Sequence, residues 1–169
     1  MTNFAQQAVD LLKEKKMKIT TAESCTGGLI AKSITDISGS SGVFDCGIVS
    51  YSNEIKKSVL GVREETLAEY GAVSEQTVRE MSEGALRISG ADIAVAVSGI
   101  AGPLSDMTAK PVGLIFIAVN LRGKISIKQL NNQFNENIRE NNRNSATNEA
   151  LELVCEILRK SGGESNGRE

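Results

Sequence analysis

Apolar residues recur along the chain at two spacings, and the alternation of these spacings predicts an α/β fold. An apolar residue at every third or fourth position predicts helices, the first of which covers 3–16. Short runs rich in Ile, Val and Thr predict strands at KITTAE (18–23), CGIVSYS (46–52) and ADIAVAVSGIAGP (91–103). We expect the last two strands to be buried, because continuous apolar runs suit strands that are covered on both faces.

Further helices are predicted where an apolar stripe begins beside a turn or capping residue. NEIKKSVLG (53–61) and REETLAEYG (63–71) predict short helices, and SGSSG (38–42) predicts a loop between elements. A helix after Thr26 is expected to point Ile30, Ile34 and Ile37 to the core. A longer helix is expected to begin after Ser74, a favourable N-cap residue, with the apolar stripe Val78, Met81, Ala85 and Ile88.

The second half of the chain predicts a hairpin and a long final helix. PVGLIFIAVNL (111–121) and KISIKQLN (124–131) are joined by Arg122-Gly123, which predicts an antiparallel pair. The final helix is expected to bury Ala146, Ala150, Leu151, Val154, Cys155 and Leu158. Strands that alternate with helices, followed by a hairpin, predict a single-domain three-layer α/β/α sandwich with a mixed sheet. We place this domain at 1–160 and a flexible tail at 161–169.

Composition narrows the classes of protein that fit this fold. The chain has 169 residues, a formal net charge of −2 and no apolar run near the ~20 residues of a spanning helix. This charge predicts no binding to nucleic acid or to an anionic membrane. The three cysteines are odd in number and match no zinc spacing, and there is no histidine. We therefore expect a reduced, cytoplasmic protein that needs no metal and no cofactor.

The stretch TTAESCTGG (20–28) is the strongest candidate for chemistry. It lies where a strand gives way to a helix, and the free N–H groups of a helix start can hold a phosphate or an oxyanion. Ser24 could be a nucleophile there, or Ser24 and Thr26 could only cap the helix. Cys25 could be a rival nucleophile, because a helix start lowers the pKa of a thiol, or it could simply fill a small buried gap, which is the more ordinary role. The absence of histidine excludes every Ser-His and Cys-His mechanism.

A base other than histidine is needed to activate a serine. Lys56 and Lys57 follow the second strand, and burial could lower the pKa of either lysine toward neutrality. Tyr51 at the strand end could relay a proton or simply pack in the core. SGIAGP (98–103) follows the most apolar strand, where ligand-binding loops gather in α/β sheets. Arg139 or Arg143 could bind a phosphate, although a surface position is the ordinary one for each.

Taken together, these segments resemble the CinA C-terminal domain family. The resemblance is carried by the stretch from TTAESCTGG to YSNEIK (20–56), then GAVSEQTV (71–78), then AVAVSGIAGP (94–103) and KPVG (110–113). It covers about residues 3–160 and implies a compact α/β/α fold. Stand-alone members of the family are nicotinamide-nucleotide amidases, so the resemblance implies hydrolysis of nicotinamide mononucleotide (NMN) to nicotinate mononucleotide and ammonia, without a metal.

The resemblance also implies roles for particular residues. Ser24 matches the family nucleophile, Lys56 matches its base and Tyr51 matches its assisting tyrosine. The N–H groups from Cys25 to Gly28 would stabilise the oxyanion. Binding of the substrate, a small pyridine nucleotide, is expected at Cys25, Thr26, Gly27, Gly28, Gly99, Ala101, Gly102 and Arg139. Family resemblance further predicts a homo-oligomer.

Two segments depart from the family pattern. LSDMTAKPVG (104–113) replaces a glycine-rich segment, and NENIRENNR (135–143) lacks the Asp and Gly that usually precede the arginine matched by Arg139. These departures support an alternative hypothesis: a catalytically silent nucleotide-binding or partner-docking module of the same fold. The presence of Ser24, Tyr51 and Lys56 favours the enzyme.

Overall fold

The computed structural model describes residues 3–161 as alternating strands and helices. The strands are β1 (Ile19–Glu23), β2 (Phe44–Val49), β3 (Ile93–Gly99), β4 (Leu114–Leu121) and β5 (Lys124–Asn131). The helices are α1 (Phe4–Lys15), α2 (Leu29–Thr35), α3 (Asn53–Ser58), α4 (Glu64–Tyr70), α5 (Glu75–Ser89) and α6 (Ile138–Lys160). The predicted tail falls on 161–169, and all of it except Ser161 lies outside the described residues.

The five strands form one mixed sheet in the order β2-β1-β3-β4-β5. β1 lies between β2 and β3 and is parallel to both, whereas β4 is antiparallel to β3 and to β5. Arg122 and Gly123 have φ angles of 50° and 95°. Positive φ at both central residues is the requirement of the tight turn that suits a two-residue hairpin. The predicted hairpin and the mixed sheet are therefore confirmed.

Helices cover both faces of the sheet. On one face, α1, α2 and α6 pack around a core that includes Leu12, Ile30 and Val154. On the other face, α5 packs against β1, β3 and β4, with Val78 and Met81 in the buried cluster. These three layers confirm the α/β/α sandwich. Within residues 3–161, no helix is both long and apolar enough to cross a membrane.

Two details of the predicted core are wrong. β2 is not buried: its residues alternate between half-buried and exposed, and Val49 is 51% exposed, because β2 is an edge strand of the sheet. Ile88 is 46% exposed, and the last turn of α5 packs Leu86 against the core instead. The rest of the predicted α5 stripe, Val78, Met81 and Ala85, is fully buried.

The parallel strands place their carboxyl ends at one edge of the sheet. Glu23 at the end of β1 pairs with Val49 of β2 and with Val97 of β3. The turn after β1, the loop after β2 and the loop after β3 therefore leave the sheet side by side. Open α/β sheets bind their ligands outside this edge.

Candidate active site

Ser24 follows β1 directly and is held in a turn that Glu23 organises. The Glu23 carboxylate is fully buried and accepts hydrogen bonds from the Thr26 hydroxyl (2.6 Å) and from the N–H groups of Gly28 (3.0 Å), Ile30 (3.1 Å) and Ala31 (2.8 Å). Because these N–H groups belong to the start of α2, an acidic side chain already occupies that helix end.

This use of Glu23 was missed by the sequence analysis. The available signal was an acidic residue a few positions before a helix start, which is a favourable place for a carboxylate. Glu23 lies in a strand of wholly buried residues, and burial of a carboxylate requires hydrogen-bond partners. Gly27 and Gly28 have φ angles of 59° and 97°, so the turn that brings the chain back over Glu23 needs glycine at both positions.

Lys56 lies against Ser24 from the neighbouring loop and helix. Its Nζ is 2.9 Å from Ser24 Oγ and 2.8 Å from the Ser50 carbonyl oxygen, and the residue is 1% exposed. Ser52 caps α3 by accepting a hydrogen bond from the N–H of Ile55, which fixes the helix that carries Lys56. Burial lowers the pKa of Lys56 from 10.5 to about 8.

The two neighbours of the Lys56 amine define what the amine can do. A carbonyl oxygen can only accept, so the bond to Ser50 uses one N–H of Lys56. When the amine is neutral, its lone pair can then accept the proton of the Ser24 hydroxyl. At pH 7, a pKa of about 8 leaves roughly a tenth of the amine in this neutral form. Lys57, by contrast, lies within 3.6 Å of Glu54 and Glu64 at the surface.

Cys25 is poorly suited to the rival role of nucleophile. Burial raises the pKa of its thiol to about 12, and the Glu23 carboxylate also raises that pKa. The sequence-based argument that the helix start would lower the pKa is therefore wrong. Its physical reason is plain: the positive end of α2 is occupied by Glu23, and the thiol is shut away from water.

Ser24 and Lys56 line a cleft of about 240 Å³ at the carboxyl edge of the parallel strands. Eight of the predicted site residues line it, namely Ser24, Cys25, Tyr51, Lys56, Gly99, Ala101, Gly102 and Arg139. Thr26, Gly27 and Gly28 do not line the cleft. Their polar groups hold the turn, since the Thr26 hydroxyl and the Gly28 N–H both donate to Glu23.

The first turns of α6 fasten the loops around the cleft. Arg139 donates to the Gly102 carbonyl (3.0 Å) and to the Tyr51 hydroxyl (2.6 Å). Asn142 is buried and donates to the Ala101 carbonyl at 2.9 Å. Arg143 donates to the carbonyls of Cys25 (3.2 Å) and Thr26 (2.8 Å). Residues at spacings of three and four share one face of a helix, so one face of α6 holds the turn after β1, the loop after β2 and the loop after β3.

Asn142 and the actual contacts of Arg143 were also missed by the sequence analysis. The spacing of Arg139, Asn142 and Arg143 was the available signal, because it places three donors on one helical face. What the sequence did not indicate is the identity of the acceptors. The acceptors of Asn142 and Arg143 are backbone carbonyls, and carbonyls are present at every position of a chain.

The segment after β3, which departs from the family pattern, contributes to the cleft. Leu104 and Asp106 line it, and Leu104 and Met107 are largely exposed. Asp106 accepts hydrogen bonds from the N–H and the hydroxyl of Thr108 and so makes a local turn. Lys110 fastens the far end of the segment to the carbonyl oxygens of Tyr70 and Val73.

Several named proteins are similar to this chain in sequence. The nicotinamide-nucleotide amidohydrolase PncC of Enterobacter agglomerans is 61% identical over 105 residues, which cover 62% of this chain and 64% of that protein. A CinA-like protein of Thermotoga neapolitana is 56% identical over 109 residues, which cover 64% of this chain and 27% of that protein. The chain thus spans less than two thirds of the length of either relative.

Solved structures and a family profile cover more of the chain. The crystal structure of competence damage-inducible protein A (ComA) from Klebsiella pneumoniae superposes with a TM-score of 0.88 at 38% identity, covering 92% of this chain and 95% of that chain. CihA from Agrobacterium tumefaciens gives a TM-score of 0.85 at 40% identity, covering 94% and 97%. The profile of the CinA C-terminal domain matches residues 1–158. The chain therefore belongs to the CinA C-terminal domain family, as the motifs from Ser24 to Lys56 predicted.

Proposed function

We propose that this protein is an amidohydrolase that converts NMN to nicotinate mononucleotide and ammonia, with Ser24 as nucleophile and Lys56 as base. One observation carries the proposal: a buried lysine amine lies 2.9 Å from a serine hydroxyl at the base of a cleft. The choice of substrate is supported by the 61% identical relative from Enterobacter agglomerans, which is named a nicotinamide-nucleotide amidohydrolase.

The first half of the reaction transfers the acyl group to the enzyme. Neutral Lys56 takes the Ser24 proton as Oγ attacks the carboxamide carbon, and the carbonyl oxygen becomes an oxyanion. When the tetrahedral intermediate collapses, the C–N bond breaks, and protonated Lys56 gives its proton to the departing nitrogen. Ammonia leaves, Lys56 is neutral again, and the nicotinoyl group is held as an ester on Ser24.

The second half regenerates the enzyme. Lys56 takes a proton from a water molecule, and the resulting hydroxide attacks the ester carbon. Collapse of the second tetrahedral intermediate breaks the bond to Ser24 Oγ, which receives the proton from Lys56. The carboxylate product then leaves the cleft. The pKa of Lys56, lowered to about 8, suits an amine that must both accept and release a proton near neutral pH.

Within the turn after β1, the candidate oxyanion donors can be narrowed to one N–H group of a residue that lines the cleft. In the described turn, the Gly27 N–H donates to the Ser24 carbonyl (3.1 Å) and the Gly28 N–H donates to Glu23. The Ser24 N–H donates to the Val97 carbonyl (3.0 Å). Within residues 3–161, the N–H groups of Cys25 and Thr26 have no oxygen partner. Thr26 is fully buried and does not line the cleft, whereas Cys25 does, so we assign the oxyanion to the amide of Cys25.

Tyr51 and Arg139 are proposed to contact the rest of the nucleotide. They lie at the cleft and are bonded to each other, and Tyr51 is 59% exposed. A guanidinium has five N–H groups, so the bonds from Arg139 to Tyr51 and Gly102 leave donors for a phosphate. A proton-relay role for Tyr51, a cytoplasmic location and self-association stay predictions from the sequence.

The proposal is tested by measuring ammonia release from NMN by the purified protein without added metal. We expect release by the wild-type protein and none above background by Ser24→Ala, with the melting temperature of the variant still raised by NMN. Cys25→Ala is the neighbouring control and should stay active. Absence of release from wild type, with NMN still raising its melting temperature, would favour the silent binding module. Loss of activity in Cys25→Ala but not in Ser24→Ala would refute the nucleophile.

A further inference from the structure

Among the described residues that line the cleft, one carries a carboxylate, and that residue is Asp106. The two other charged side chains in the lining, Lys56 and Arg139, are basic. The hydrogen bonds that the structure gives these two basic groups go to neutral hydroxyl and carbonyl oxygens. Neither of them is bonded to Asp106, so the charge of Asp106 is available to a ligand in the cleft.

The Asp106 carboxylate is held by one of its two oxygens. Its Oδ1 accepts hydrogen bonds from the N–H of Thr108, at 3.1 Å, and from the Thr108 hydroxyl. Within residues 3–161, Oδ2 has no hydrogen-bond partner. An aspartate carboxylate offers about four lone-pair sites, so the Thr108 bonds orient the group and leave the second oxygen to accept from or attract a ligand.

The segment that carries Asp106 is fastened to the cleft on both sides. Before it, the Gly102 carbonyl is held by Arg139 at 3.0 Å. After it, the Lys110 amine donates to the carbonyl oxygen of Val73. Gly102, Val73 and Arg139 all line the cleft themselves. Asp106 is therefore held at the rim of the cleft by residues of the cleft, although its side chain is exposed.

The proposed substrate brings a positive charge into this cleft. The ring nitrogen of NMN is bonded to ribose, which makes the ring a pyridinium cation, and the carboxamide on that ring must reach Ser24. Lys56 is protonated in most molecules at pH 7, because its pKa is about 8, so it repels the incoming ring. Charges that line one cleft of about 240 Å³ are not fully screened by salt, since the screening length is ~8 Å at physiological ionic strength.

We propose that Asp106 is a specificity-determining residue that selects the cationic, N-ribosylated pyridinium ring over a neutral ring. The inference rests on the proposed amidohydrolase function and deepens it. Asp106 takes no part in proton transfer. Its attraction to the ring is present before and during the reaction, so it acts on substrate binding and leaves the chemical step nearly unchanged.

The test measures the binding of two ligands by titration calorimetry in a Ser24→Ala background, which prevents turnover. One ligand is NMN; the other is its reduced form, NMNH, in which an added hydride makes the ring neutral and leaves the ribose and phosphate unchanged. We expect Asp106→Asn to weaken NMN binding by about 2- to 5-fold, the size of an exposed charge pair. Binding of NMNH should change by less than about 1.5-fold, because its ring carries no charge.

Two further variants separate charge in the cleft from other effects. Asp106→Glu keeps the charge and should keep most of the preference for NMN. Asp10→Asn removes the same charge from α1, where Asp10 accepts a hydrogen bond from Gln6 outside the cleft, and should change neither affinity. The preference for NMN should shrink between about 0.05 M and about 0.5 M salt, because screening increases. In the Ser24 enzyme, Asp106→Asn should raise KM and keep kcat within about twofold.

Several results would overturn the inference. Unchanged NMN affinity in Asp106→Asn would leave Asp106 no role in binding. Equal weakening of NMN and NMNH would assign Asp106 to the ribose hydroxyls or to the shape of the loop. A protein that releases ammonia from NMN but prefers NMN to NMNH independently of Asp106 would refute this inference alone. A protein that releases no ammonia, but whose preference for NMN depends on Asp106, would refute the proposed function alone.

Discussion

At the scale of single residues, Lys56 has the position that the proposed chemistry most depends on. Its amine touches one hydroxyl and one carbonyl, and no carboxylate is among the causes that shift its pKa. Most buried cations in proteins are paired with an anion, which keeps them charged. Within residues 3–161 Lys56 has no anionic partner, which favours its neutral form, and only the neutral form can accept the Ser24 proton.

We expect kcat/KM for NMN to rise with pH along a single limb whose midpoint is near 8. The reason is that the folded-state pKa of Lys56 is about 8, and the base must be deprotonated in the free enzyme.

The stability of the folded protein should also rise with pH. Between about pH 8 and 10.5 the unfolded chain holds a proton that the folded chain has lost, so the free energy of unfolding rises with pH in that window.

Variants of the two adjacent lysines provide the control for this pH profile. Lys56→Arg should be inactive at every pH tested, because a guanidinium stays protonated. Lys57→Met should keep both the activity and the midpoint, since Lys57 pairs with Glu54 and Glu64 outside the cleft. Initial rates across pH 6 to 10 would check both. A limb that persists in Lys56→Arg would assign the titration to another group.

At the scale of elements, the position of Lys56 depends on how α5 packs against the chain that follows α3. The N–H of Val62 donates to the Lys56 carbonyl (3.0 Å), and Leu60 between them is fully buried. Gly84 of α5 lies directly against Leu60: a Cβ built at Gly84 would be 2.0 Å from the Leu60 carbonyl oxygen. Helix α5 therefore contacts the backbone that follows Lys56, the proposed base, with no intervening side chain.

Gly84→Ala should destabilise the protein and slow it at the same time. The added methyl group cannot fit 2.0 Å from a backbone oxygen, and overpacking of this kind costs roughly 1–3 kcal/mol. Displacement of Leu60 would also move Lys56 relative to Ser24. Gly42→Ala is the matched control, because nothing lies within 4 Å of a Cβ built there. Thermal melts and ammonia release check the pair; equal melting temperatures would contradict the close contact.

At the scale of the whole molecule, the site lies between the buried interior of the sheet and one of its exposed edge strands. β3 is in the interior of the sheet, and six of its seven residues are buried. β2 is at the edge, with no fully buried residue. Ser24 extends from β1 between them, and Lys56 comes from the helix after β2. The proposed nucleophile is thus attached to the interior of the sheet and the proposed base to the more accessible edge.

Amide hydrogen exchange should be slower in the interior strands of the sheet than in its edge strands. We expect peptides from β1 and β3 to exchange slowest, because each of these strands has a paired strand on both sides and is buried beneath helices. Peptides from the edge strands β2 and β5 should exchange faster. Mass spectrometry of the native protein over minutes to hours measures this ranking. Protection of β2 equal to that of β3 would mean that another surface covers the β2 edge.

The sequence predicted local features well and pairings across the chain poorly. The helix after Ser74 and the hairpin at Arg122-Gly123 depend on neighbouring residues, whose capping and turn preferences are readable in order. The burial predicted for β2 was wrong because burial depends on the place of a strand in the sheet, and the order of elements along the chain does not specify that place. The roles of Glu23 and Arg143 depend on backbone groups that every residue possesses, so no side-chain pattern marks their partners.

The distance along the chain between the turn and its arginine has a consequence for biosynthesis. Arg143 is 118 positions beyond Cys25, the carbonyl that it holds. Ribosomes add roughly 5–20 residues each second, so the arginine is made on the order of ten seconds after the turn that it contacts. The turn after β1 acquires its bonds from Arg143 only when α6 is synthesised, so a chain whose translation stops before Ile138 lacks the donors that hold the Cys25 and Thr26 carbonyls.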